Sequence, residues 1–143
     1  MSIRKSHKKI VIFGGSFNPP HIGHMAALEF ILRHFKCDEI WLLVSPDRTD
    51  KKMGVRGRTR IKMLRIYLND FFPKTKIPIK ISDFELKNPG LSTTYDTKLR
   101  LESDYPKYKF YFLIGSDLIP DIKTKWVKGK ELWSHANFVV FHR

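Results

Sequence analysis

The chain has 143 residues, with 27 Lys and Arg against 14 Asp and Glu, a formal net charge of +13 at pH 7. Its hydrophobic share of 42% supports a real core in one domain over residues 1–143, which excludes disorder by composition. The longest apolar runs, residues 40–44 and 110–114, are far short of the roughly 18 residues needed to cross a bilayer, and the basic start from Ser2 to Lys9 runs into too short an apolar stretch for a signal peptide.

Residues 9–13 read as a buried strand that stops at Gly14-Gly15. A helix follows Pro19-Pro20, with Met25, Leu28, Leu32 and Phe35 spaced as an amphipathic stripe. Residues 40–44 form a second strand, and residues 46–56, polar and basic around Gly54, form a loop at its C-terminal end. Helical spacing returns over 58–68 through Ile61, Leu64 and Leu68. Ile77, Ile79 and Ile81 alternate as a strand that Pro78 pushes to an edge. A helix over 93–103 has Ser92 or Thr93 as its N-cap, and residues 110–114 and 138–141 complete the strands. Strands that alternate with helices and are almost wholly apolar imply an α/β fold, a parallel sheet covered on both faces. Ligands of such sheets bind beyond the carboxyl ends of the strands.

The charge asks for an anionic partner but does not choose one. A single cysteine, Cys37, excludes a disulfide framework and a multi-cysteine zinc site, and it fits a reducing compartment such as the cytoplasm. The segment Gly14-Gly15-Ser16-Phe17-Asn18-Pro19-Pro20-His21-Ile22-Gly23-His24 is more informative. It is neither the dinucleotide fingerprint nor the P-loop, because the glycine spacing differs and no Gly-Lys-Ser/Thr follows. Gly14 and Gly15 let backbone N–H groups approach an anion, and the helix that opens near His21 turns its free N–H groups and positive dipole end the same way. His21 and His24 lie three apart, so both rings reach one point, and Gly23 leaves room between them. With no third ligand nearby, they read as phosphate ligands and no metal site is expected.

That segment resembles the H-x-G-H signature of the nucleotidyltransferase superfamily, in the form carried by nicotinate/nicotinamide mononucleotide adenylyltransferases. The likeness continues through Arg60-Ile61-Lys62-Met63-Leu64, Ser92-Thr93-Thr94-Tyr95-Asp96-Thr97, Phe112-Leu113-Ile114-Gly115-Ser116-Asp117 and Lys125-Trp126. His-Ile-Gly-His is shared with class I aminoacyl-tRNA synthetases, but the chain is too short for one. The resemblance implies a Rossmann-like, doubly wound, mainly parallel five-stranded sheet with helices on both faces. It also implies transfer of AMP from ATP to a pyridine mononucleotide in NAD biosynthesis, with pyrophosphate released and Mg2+ carried by ATP.

By the same resemblance His21 and His24 are catalytic. ATP is held by Gly14, Gly15, Ser16, Phe17, His21, His24, Gly115 and Asp117. The mononucleotide is held by Ser16, Phe17, Asn18, Lys51, Lys52, Thr94, Thr97 and Trp126, with Trp126 stacking on the pyridine ring. The implied partners are ATP and the mononucleotide, with neither membrane nor nucleic acid expected. Thr93 stands where the family commonly has Tyr. The family's C-terminal ATP signature is expected to be missing, because the sequence stops at Arg143. Two other readings stay open from sequence: a sister nucleotidyltransferase with another phosphorylated acceptor, and a noncatalytic nucleotide- or RNA-binding relative.

Overall fold

The computed structural model describes residues 7–47 and 55–142. Its elements are β1 (Lys8–Gly15), α1 (Ile22–His34), β2 (Glu39–Val44), α2 (Gly57–Phe71), β3 (Ile79–Ser82), α3 (Phe84–Lys87), α4 (Thr94–Asp104) and β4 (Tyr108–Gly115). A 3-10 turn (Ser116–Leu118), α5 (Ile119–Thr124), α6 (Gly129–His135) and β5 (Asn137–Phe141) follow. The strands pair in the order β3-β2-β1-β4-β5, every pair parallel. The chain winds outward from β1 through β2 to β3, then returns across β1 to β4 and β5, which is the doubly wound α/β arrangement expected from sequence.

Period-two alternation divides the core between the two faces of the sheet. Val11, Ile40, Leu42 and Val44 meet Met25, Leu28 and Ile31 of α1 and Leu64 of α2 on one face. Ile10, Ile12, Trp41, Leu43, Phe110 and Phe112 meet Leu101 of α4 on the other. Each fully buried Leu or Ile contributes roughly 1.5–3 kcal/mol. The stripe of α1 is turned slightly from the one expected: Met25, Ala27, Leu28 and Ile31 are buried, while Leu32 and Phe35 pack at its margin.

Pro78 does mark an edge. It stands just before β3, the outermost strand, where its missing N–H leaves no ladder bond unmade, and its carbonyl accepts from Ile40 N at 3.0 Å. The link from β4 to β5 departs most from simple patterning, because it contains a 3-10 turn and two short helices, α5 and α6, packed through Ile122 and Leu132 against Ile114. Gly129 is required where these helices meet, since a Cβ there would lie 1.7 Å from the Ile122 carbonyl oxygen. No helix among the described residues is long and apolar enough to cross a membrane.

Candidate active site at the carboxyl ends of β1 and β4

Gly14 and Gly15 do not end β1. They continue it, paired with Leu43 and Val44 of β2. On its other side β1 pairs with β4 only as far as Ile12 and Phe112, so the two strands part beyond that point. The gap falls where the winding of the sheet reverses, and a cavity of about 860 Å3 opens there. Neither glycine has a positive φ. What Gly14 contributes is space: a Cβ on it would meet nothing within 4 Å, and the residue lines the cavity.

The turn after β1 carries strain. Phe17 has φ 50, a left-handed conformation for a bulky residue, while its ring is buried in the core at 1% exposure. Phe17 therefore offers a ligand only its backbone, whereas Ser16 and Asn18 on either side of it line the cavity. The Asn18–Pro19 peptide is cis.

His21 caps α1. Its Nδ1 accepts from Gly23 N at 3.0 Å, and Nδ1 of His24 accepts from His21 N at 3.0 Å, a reciprocal box built from two imidazoles. The rings stack with centroids 3.8 Å apart, and His24 also packs on Phe17 at 4.7 Å. With Nδ1 accepting, each neutral ring carries its proton on Nε2, so both rings are fixed as Nε2–H donors. No acidic residue occupies the first turn of α1, so its positive end faces no carboxylate of its own. Gly23 is explained differently from the sequence reading. A Cβ there would lie 2.8 Å from His21 Cε1, so the glycine makes room for the His21 ring rather than for a ligand.

Arg60 of α2 is fully buried. Its guanidinium donates to the carbonyls of Ser16, of Ser45 at 3.0 Å and of Val55 at 3.0 Å, and to Oδ1 of Asp47 at 2.9 Å. That hydrogen bond, with one from Gly57 N at 2.7 Å, holds the Asp47 carboxyl below the usual carboxylate range. Lys51 and Lys52 lie outside the described residues.

Across the cavity stands the start of α4. Thr93 is its N-cap, accepting from Asp96 N at 3.1 Å, and Thr94 lines the cavity in the first turn. Thr97 also borders the cavity, but its hydroxyl is committed to Oε2 of Glu85 at 2.7 Å. Sequence reasoning missed Glu85, which lines the same wall and whose carboxyl burial pushes above its ordinary value. A carboxylate ahead of the Ser92–Thr97 motif was the available signal. Trp126 lines the cavity as well, half-buried against the α5–α6 cluster, so it serves as core and wall together. Gly115 ends β4 and Asp117 is exposed on the 3-10 turn; neither lines the cavity, whose wall on this side is formed by Ile114, Leu118 and Trp126.

Residues 12–143 match the cytidylyltransferase-like family model. A probable nicotinate-nucleotide adenylyltransferase of Oceanobacillus iheyensis is 36% identical over 92% of this chain and 66% of its own length, and one of Fusobacterium nucleatum is 36% identical over 94% and 68%. The chain thus spans about two thirds of the length of these curated relatives. Among solved structures, the Plasmodium falciparum nicotinic acid mononucleotide adenylyltransferase complexed with NaAD superposes with a TM-score of 0.79 at 32% identity, over 96% of this chain and 65% of that one. With the H-x-G-H helix start placed at the switch point of the sheet, these matches show that the chain belongs to the cytidylyltransferase-like family, on its nicotinate-nucleotide adenylyltransferase branch.

Proposed function

We propose that this protein transfers AMP from Mg-ATP to the phosphate of a pyridine mononucleotide, nicotinate mononucleotide in the first place and nicotinamide mononucleotide as the alternative acceptor. A phosphate monoester has a second pKa near 6, so the acceptor is already a nucleophile at neutral pH and no protein base is needed. One of its oxygens forms a bond to the α-phosphorus of ATP while the bond to the β-phosphate oxygen breaks, and pyrophosphate leaves. Catalysis then consists of alignment and of offsetting charge as it develops on the leaving group.

His21 and His24 donate from Nε2 to the ATP phosphates, aided by the N–H groups of Gly15, Ser16 and Phe17 and by the positive end of α1. Gly14 gives the nucleotide room, while Gly115 and Asp117 approach its ribose from the end of β4. Ser16, Asn18, Thr94, Thr97 and Trp126 receive the mononucleotide, with the Trp126 indole against the cationic pyridine ring and Lys51 and Lys52 on its phosphate. Magnesium enters with the triphosphate as part of the substrate. The cytoplasm, where ATP is available and Cys37 stays reduced, is the compartment this reading assigns.

The observation that carries the reading is the pair of imidazoles with both Nδ1 atoms committed to the backbone, at a helix start beside a cavity of nucleotide size. Incubation with Mg-ATP and each mononucleotide in turn is expected to yield the dinucleotide and pyrophosphate in equal amounts. No product from either acceptor at high protein concentration overturns it, and product only from another phosphorylated acceptor reassigns the substrate.

A further inference from the structure

Arg60 carries a buried charge whose only anionic partner among the described residues is Asp47, a side chain that is itself 53% exposed. Burying a guanidinium behind a ligand cavity is costly unless its donors are satisfied, and here they are spent on the backbone of two loops. Three of the residues it holds, Ser16, Ser45 and Asp47, line the cavity. Arg60 reaches Ser16 across 44 positions of sequence and Ser45 across 15, so it ties the loop after β1 to the loop after β2 from the core side.

The Ser16 contact sets a direction. The Ser16–Phe17 peptide is trans and planar, so its C=O and N–H point opposite ways. With the carbonyl turned inward to Arg60, the Phe17 N–H is turned away from the core. Phe17 is also the residue held at φ 50, and a left-handed conformation at a bulky residue persists only where its surroundings over-determine it. Two restraints do so: the ring packed in the core, and the carbonyl before it gripped by Arg60.

We infer that Arg60 is a positioning residue for phosphate binding: it grips the Ser16 carbonyl from behind, keeps Phe17 in its left-handed conformation and presents the Phe17 N–H to the ligand as an anion donor. Arg60 touches no substrate itself. Lysine does not replace it, because one ammonium lacks the planar fork that holds three carbonyls and a carboxylate together.

This inference rests on the adenylyl-transfer reading, and the test separates the two. In the 15N-labelled wild-type protein, titration with tripolyphosphate is expected to move the Phe17 amide among the largest shifts and to move the Arg60 Nε–H resonance with it. In R60K the Phe17 shift is expected to fall by more than half. Turnover should drop about thirtyfold, on the order of one misplaced donor, while KM for the mononucleotide changes less than about threefold. A wild-type Phe17 amide that tripolyphosphate leaves unmoved overturns the inference, whether or not R60K folds. So does a folded R60K with its Phe17 shift intact or its turnover within threefold of wild type. If the wild-type protein makes no dinucleotide, the transfer reading fails, and the tripolyphosphate titration still decides the role of Arg60.

Discussion

The two walls of the cavity are built by opposite means. The wall after β1 is local: Gly14, Gly15, Ser16 and Asn18 line it and lead straight into the start of α1, where His21 and His24 bond to backbone N–H groups two and three residues away, and the proposed function gives this stretch the phosphates. The wall opposite comes from distant pieces, with Thr97 bonded to Glu85 twelve residues earlier and Trp126 held by the α5–α6 cluster. A phosphate looks much the same in every nucleotide, so a short and rigid cradle suffices for it. An acceptor base differs between substrates, and a wall made of exchangeable pieces is where the proposed function puts selectivity.

The comparison breaks most visibly if the cradle is removed. His24→Ala takes away one fixed Nε2–H donor and the acceptor for His21 N, and turnover should fall a few hundred-fold, about 3–4 kcal/mol in the barrier, for either mononucleotide. Stability should drop by only about 1 kcal/mol, as for a lost cap. Steady-state kinetics with urea unfolding checks both, and a loss under threefold removes His24 from the chemistry.

Trp126→Ala tests the other wall. Loss of one stacking face should raise KM for the mononucleotide about tenfold while KM for Mg-ATP stays within about twofold. A matching rise in both constants would mean that the indole acts as core alone and that the two walls do not divide the substrates.

The same division explains what was legible in the sequence. Glycines, an asparagine-proline turn and two histidines at helical spacing declare the cradle because they all fall within a dozen residues of sequence. The nearly continuous apolar runs 10–13, 40–44 and 110–114 declare the parallel sheet for a different reason, since strands at its centre are covered on both faces. Arg60 reads as an ordinary surface cation on α2 until Ser16, Ser45 and Asp47 are seen around it. Glu85 reads as a solvated acid until Thr97 closes on it. The helices α5 and α6 are too short to show a period, and their packing is signalled only by Gly129, whose reason for being glycine is a carbonyl seven residues back.

Gly23→Ala makes a finer cut within the cradle. Alanine at this first-turn position gains up to about 1 kcal/mol of helix propensity. Its Cβ displaces the His21 ring, which weakens a cap of about the same size, so unfolding should be nearly unchanged. Turnover should still fall roughly five- to tenfold, because His21 no longer stands in register with His24. Equal activity at equal stability would show that the stacked pair tolerates misalignment.

Glu85 gives the smallest effect and the sharpest contrast between the walls. Burial, opposed in part by the Thr97 hydroxyl, raises its carboxyl above the ordinary range, so the folded protein holds this proton more tightly than the unfolded chain does. The stability it contributes is complete below the unfolded value and is lost as pH rises through the folded one. Glu85→Gln cannot titrate, so in denaturation across a pH window that opens at the ordinary Glu value of about 4 the wild type should lose ground steadily to the variant as pH rises. The same ionisation places a negative charge in the acceptor wall and none in the cradle. With wild-type protein, KM for nicotinate mononucleotide should therefore rise across that window relative to KM for nicotinamide mononucleotide, whose ring carries no carboxylate, while KM for Mg-ATP follows neither. In Glu85→Gln the divergence between the two acceptors should vanish; if it persists, the discriminating charge lies elsewhere on the wall.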